Sequence, residues 1–416
     1  MPILAHRRRR HFERLEARQM LAGNVTAEIV DGDLIVMGDG LTVTATNDVG
    51  NQTIDQFTVN VVEPPPVSGL TTVTVQNGTL LIEGDDGESV VSITGIGTGS
   101  GVYLVETPEG SQTVSGIIGG IMVNLAGGND SLVMNNVYVG GAISIQTGDG
   151  DDTVVLGDRD VVSSRGNLQV NLGAGNDQID GKRLYIGTNQ SINGEEGNDQ
   201  LIFEGFASPF TVGTSAARNV ALSGGSGNDL VRVKYAFVVG PWVVDLGEGE
   251  DALYMLYSAA SSDVIALGGE GLDTLHLDAN FLDANVRIEG NAGSSSILLA
   301  NGLGTEIALI QLNGTGDNVT VLNQTAVQLY VVDAGTTFDD VKVTASALDH
   351  FFAALGGADD QLTMRGNLFR FSVDLDGGAG AADRLLDFGN DIRGPYVSQA
   401  FELFVPQDGF VPPPRS

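Results

Sequence analysis

The sequence predicts an all-β chain wound as a parallel β-solenoid of about 12–14 coils. Three observations carry that expectation. A Gly–Asp motif returns about every 22 residues, the segments flanking it alternate apolar with polar, and glycine (58 of 416 residues) is used at about twice the usual rate of roughly 7% without a Gly-X-Y period.

The repeat is clearest at "GDGDDTVVLGD", residues 148–158. It aligns with "AGGNDSLVM", "GAGNDQID", "EEGNDQLIF", "GSGNDLVRV", "GEGEDALYM", "GEGLDTLHL", "GADDQLTM" and "GAGAADRLL". The acidic positions are Asp130, Asp152, Asp177, Asp199, Asp229, Asp251, Asp273, Asp360 and Asp383. "NAGSSSILL", "GTGDNVTV" and "GTTFDDVKV" fill the gap with Ser295, Asn318 and Asp339, giving steps of 22, 25, 22, 30, 22, 22, 22, 23, 21, 21 and 23. A weaker member, "EGDDGESVVSI", places Ser89 41 residues before Asp130, close to two further turns.

Each unit has the same order. An alternating strand such as "LQVNLG" (168–173) or "WVVDLG" (242–247) enters the Gly-rich turn, and a second, "TVVLG" (153–157) or "LYMLY" (253–257), leaves it. A looser third stretch closes the circuit. Period 2 sends Val, Leu and Ile to one side and polar residues to the other, while the i, i+3, i+4 spacing of a helix is not sustained. Stacked at about 4.8 Å, twelve turns would span roughly 50–55 Å. The long units are expected to bulge near "GKRLYIGTNQ" and "FASPFTVGTSAARN", and Trp242 to seal an irregular coil or serve as a ligand platform.

Charge narrows the function classes. The net charge is −33, and six of the 20 basic residues lie in the first 21 positions, so the body is more acidic still. Such a surface repels phosphate backbones and attracts divalent cations, which argues against nucleic-acid partners. The chain has no cysteine, which removes disulfides and thiolate sites, and no apolar run reaches the roughly 18 residues of a membrane span.

The expected organisation is an export segment at 1–22, an N-terminal β cap at 23–66, the solenoid at 67–395 and a tail at 396–416. "EIVDGDLIVMGDG" (28–40) echoes "VTVQNGTLLIEGDDG" (73–87), with Gly32 and Gly78 in register. The intervening "LTVTATNDVGNQTIDQFTVNVVEPPPV" resembles the last two strands of an immunoglobulin- or cadherin-like domain and is expected as a hairpin capping the first coil. "FERLEARQMLAG" resembles the Arg-rich LEPR-XLL-type segment of exported planctomycete-type proteins, with Ala17 where that pattern often has proline. The resemblance implies an extracellular or cell-surface location.

The Gly–Asp turns have two readings. Alternate glycines allow positive φ at a tight corner, and Asp or Asn accepts nearby backbone N–H groups. Stacked in register, however, carboxylates about 5 Å apart repel by around 1 kcal/mol per neighbour in water, and a cation relieves this. "GAGNDQID" and "GSGNDLVRV" resemble the hemolysin-type calcium-binding (RTX) repeat, G-G-x-G-x-D-x-U-x, although this chain carries one motif per 22 residues and not tandem motifs at period nine. The resemblance implies calcium held between coils, with Asp152, Asp177, Asp199, Asp229, Asp251 and Asp273 as the ligands and Ser295 and Asn318 as interruptions. Handedness is expected to be right, by analogy with pectate-lyase-like folds.

Catalysis finds little support. Asp245, Asp374, Asp158 and Asp160 pair on paper, but 53 acids make chance pairs common. His276 and His350 are isolated, and neither a nucleophile elbow nor a phosphate loop is present. The expected function is an exported, non-catalytic structural, adhesive or surface component, with extracellular polysaccharide or surface proteins as partners. The alternative is a polysaccharide-active lyase or hydrolase with its site on the solenoid flank near the long units.

Overall fold

A computed structural model describes residues 70–97, 101–205, 219–333 and 335–402, together with the backbone of strands 26–30, 33–37, 41–46, 56–61, 214–217 and 403–407. The export segment and the last residues of the tail lie outside the described residues. Residues 1–67 and 68–416 form two units.

In the first unit Thr26–Val30 pairs antiparallel with Asp33–Met37, and Leu41–Thr46 with Gln56–Val61. The expected hairpin is therefore present. Its sequence echo behaves alike: Thr72–Gln76 turns back on Thr79–Glu83 through Asn77 and Gly78, at φ 51° and 77°. Asn-Gly with both residues at positive φ is the two-residue turn whose twist matches a hairpin.

The second unit is a parallel β-solenoid of about 12 coils, and no helix occurs among the described residues. Each coil contributes one strand to each of two 16-stranded sheets. Strands such as Ile143–Asp149, Leu168–Ala174 and Asn189–Glu196 stack in the first, and Thr153–Leu156, Gln178–Lys182 and Gln200–Glu204 in the second. A third face of short strands, Val137–Val139, Val162–Ser164 and Leu184–Ile186, closes the circuit. From Thr305 onward the third face straightens into the first sheet as strands of 8 or 9 residues, such as Thr325–Asp333.

Alternation places aliphatic columns inside each sheet. In the second sheet Leu132, Val154, Ile179, Leu201, Val231, Leu253 and Leu275 follow one another in register and are fully buried. Trp242 stands in the first sheet's column between Val220 and Val264 and is 1% exposed, so it packs the core and offers no platform.

Three expectations about length need correction. Ser89 and Asp130 belong to adjacent coils, because Val90–Gly95 pairs directly with Ser131–Asn135. The surplus is an antiparallel hairpin, Tyr103–Thr107 with Gly110–Val114, added at the edge of the second sheet. The extra residues of the 25-residue step lie at 157–161, between Thr153–Leu156 and Val162–Ser164, one coil before "GKRLYIGTNQ". Those of the 30-residue step fall largely outside the described residues. The sheets also run past residue 395: Tyr396–Gln399 pairs with Leu368–Asp376, and Leu403–Gln407 with Arg384–Phe388.

Candidate functional site

The recurring aspartates meet at the corner between the two large sheets, and they point inward. Asp152, Asp177, Asp199, Asp229, Asp251 and Asp273 are each at most 3% exposed, as are Asp130, Asp317, Asp339, Asp360 and Asp383. The backbone N–H of one donates to Oδ1 of the next coil's aspartate: Asp130 to Asp152 at 2.7 Å, Asp152 to Asp177 at 2.7 Å and Asp177 to Asp199 at 2.8 Å. The series continues through Asp229, Asp251 and Asp273, resumes from Ser295 to Asp317, Asp339, Asp360 and Asp383, and ends on Glu402. Ser295 interrupts it as expected, its hydroxyl donating to Gly290 O within its own coil.

Asn318 does not occupy the column; it is exposed and opens the next strand, while Asp317 takes the buried place. The phase was readable. In every unit the inward side chain is followed, after one residue, by a buried aliphatic, as in Asp177-Gln178-Ile179, and only Asp317-Asn318-Val319 fits.

The motif's other letters have separate uses. Gly150 adopts φ 132°, and a Cβ there would stand 2.1 Å from Gly128 O of the preceding coil. Glycine is thus required by close coil-to-coil approach as well as by the turn. The residue before each aspartate builds an exposed outer row: Asn176, Asn198 and Asn228 N–H groups bond to the side chains of Asp151, Asn176 and Asn198. "GND" therefore encodes corner, outer row and inner column in order.

Burial dominates the electrostatics. Desolvation pushes Asp130, Asp177 and Asp229 up to about 7 and Asp199, Asp273 and Asp360 up to about 6, with the donated N–H opposing it in each case. Asp339 is raised for the same first reason, with the charges of Asp333 and Asp317 adding. Near neutral pH the column therefore holds both carboxylic acid and carboxylate. Oδ2 of Asp130, Asp152, Asp177, Asp199, Asp229, Asp251 and Asp273 is buried without a protein partner, which favours the protonated form at that oxygen.

Calcium takes 6–8 oxygens at about 2.3–2.6 Å. Here Oδ1 of each aspartate accepts a backbone N–H from the preceding coil, and among the described residues no group of three or more His, Asp or Glu side chains converges. The six expected ligands stand one per coil along the column.

A second column went unread in the sequence. At the corner leaving the second sheet one residue per coil sits in the left-handed region, including Arg183, Tyr235, Tyr257, Ala279, Asn301, Asn323 and Ala345 at φ 48–55°. The next residue turns inward. Ser258 N–H donates to Asn280 Oδ1 at 2.8 Å, Gly302 N–H to Gln324 Oε1, Gln324 N–H to Ser346 Oγ and Ser346 N–H to Asn367 Oδ1. Asn367 N–H then reaches Asn390 Oδ1 at 2.7 Å.

Asp245 and Asp374, considered for catalysis, do not converge. They are exposed on the first sheet six strands apart, about 29 Å at strand spacing. Asp158 is 3.3 Å from Lys182 Nζ. His276 lies tilted at 51° against Tyr254, with ring centroids 5.7 Å apart, and His350 Nδ1 lies 2.7 Å from Ser372 Oγ. No family model, curated protein or solved structure matches this chain.

Proposed function

We propose that the chain is an exported, non-catalytic structural or adhesive component of the cell surface. One observation carries the reading: the acidic groups that make the sequence look chemically active are turned inward and bonded to the backbone of the neighbouring coil. Their task is to hold coil on coil, as a stiff spacer requires. The resemblance of residues 12–23 to an export segment supports the location, and the acidic exterior favours divalent cations over anionic partners.

The test has two parts. Protease shaving of intact cells is expected to remove the protein, and the purified chain is expected to leave a panel of neutral and acidic polysaccharides at full length. Cleavage abolished by Asp245→Asn or Asp374→Asn would replace this reading with a polysaccharide-active enzyme. Retention inside shaved cells would remove the surface location.

A further inference from the structure

Strands Thr325–Asp333, Ala347–Ala354 and Leu368–Asp376 lie side by side in the first sheet. Each breaks its alternation at one place, with consecutive outward residues: Val327 and Gln328, Asp349 and His350, and Arg370, Phe371 and Ser372. There the third face bends into the sheet. A cavity of about 340 Å³ opens beside the bend, lined by Gln328, Tyr330, His350, Phe352, Ser372 and Asp374.

The lining is ordered in two rows. Gln328, His350 and Ser372 are in register, as are Tyr330, Phe352 and Asp374. The second row continues a line that elsewhere holds Ser144, Gln169, Ser191, Ala221, Val243, Ile265, Arg287 and Leu309, so the aromatic pair is particular to these coils. Tyr330 and Phe352 have ring centroids 5.9 Å apart at 47°, and His350 and Phe371 5.5 Å apart at 31°. Tyr330 Oη donates to Gln328 Oε1 at 2.7 Å, and His350 is held by Ser372, so the walls are set before any ligand arrives. Phe371 nevertheless remains 55% exposed.

The geometry points to a binding site for a neutral oligosaccharide, seated with the apolar face of a pyranose on the Tyr330 and Phe352 rings, its hydroxyls on Gln328, Ser372 and Asp374, and Phe371 at the rim beside His350. Ring faces beside fixed hydrogen-bonding groups match a ligand that is apolar on its faces and hydroxylated round its rim. The volume sits at the small end of the roughly 300–1,000 Å³ of ligand pockets and is open along the sheet, which suits one or two units of a longer chain. Asp374 within the site repels phosphates and uronates, while Asp349 beside it is paired with Arg370 at 2.8 Å. The inference rests on the adhesive side of the proposed function and names its ligand.

The test is calorimetric titration of the full chain with cellohexaose, laminarihexaose, mannohexaose and hexagalacturonate. At least one neutral hexasaccharide is expected to bind saturably and hexagalacturonate not at all. Phe371→Ala and Phe352→Ala are expected to weaken binding roughly tenfold each, and Tyr185→Ala on the third face to leave it unchanged. Because Phe371 is exposed, Phe371→Ala tests the site even where Phe352→Ala fails to fold. No binding across the neutral panel, or binding unmoved by Phe371→Ala, would overturn the site and leave the spacer role intact. Shortening of the sugar, followed by chromatography of the same samples, would overturn the non-catalytic reading and leave the site intact.

Discussion

The N–H of Asp199 donates to Oδ1 of Asp229 across 2.7 Å, although 30 residues separate them. The next coil makes the same bond over 22 residues. Register is thus held by the column whatever the length of chain between its members. Asp229→Ala should remove the acceptor and strand a buried N–H, costing about 1–3 kcal/mol. Asp229→Asn keeps an acceptor and should cost far less; thermal melts of both variants at pH 5 would separate the two effects.

The raised aspartates make stability depend on pH in an uncommon direction. Their folded-state values, about 6 to 7 for Asp130, Asp177, Asp199, Asp229, Asp273 and Asp360, lie above the unfolded carboxylate value near 4. Between those limits the folded chain binds more protons than the unfolded one. Stability is then fully present below about pH 4 and lost as pH rises through 6 to 7. The melting temperature should fall steadily from pH 4.5 to pH 8, and Asp229→Asn should flatten the slope; a rise over that range would contradict the buried acid column.

The left-handed corner offers a stabilising change. Ala279 holds φ 53°, a region that disfavours a Cβ by about 1–2 kcal/mol. Ala279→Gly should raise stability by up to about 1 kcal/mol after glycine's extra chain entropy is set against that relief. Chemical denaturation of the two proteins side by side would measure it.

At the acidic corner the opposite change should be severe. A Cβ on Gly175, at φ 147°, would stand 2.0 Å from Gly150 O. Because the obstacle is backbone, Gly175→Ala must push two coils apart. Limited proteolysis should cut the variant near residues 150–175 while the wild type resists.

Metal should matter little to the column. Melting temperatures of the full chain in millimolar calcium and in chelator are expected to agree, since Oδ1 of each aspartate is already taken by a backbone N–H. A large rise with calcium would mean that the ion binds the folded state elsewhere on the acidic exterior.

Much of the fold was legible because the acidic corner writes the same demand into every coil. Gly150 and Gly175 answer backbone proximity, Asp152 and Asp177 answer a buried N–H, and Val154 and Ile179 answer the core. The second corner makes an equally regular demand but accepts many answers. Serine, asparagine and glutamine all supply an oxygen at Ser258, Asn280 and Gln324, so no motif forms. Phase was lost at Asn318 because Asp317-Asn318 offers two polar residues for one inward place, and only Val319 decides between them. The aromatic cavity was invisible for another reason: Tyr330, Phe352 and Asp374 lie on successive coils, and coil register alone makes them neighbours.

The column also has two unlike ends. Ser89 begins it by giving a hydrogen bond to Asp130, and the last aspartate, Asp383, gives its own to Glu402, whose extra methylene reaches back from a less regular turn. Each coil laid on another is therefore asked for an acceptor, which only the Ser295 coil withholds, whereas the starting position is asked for none. Coils trimmed from the N-terminal side would strip no remaining donor of its acceptor. Coils trimmed from the other side would do so at every cut but the one before Ser295, so a chain of this design shortens at less cost from one end than from the other.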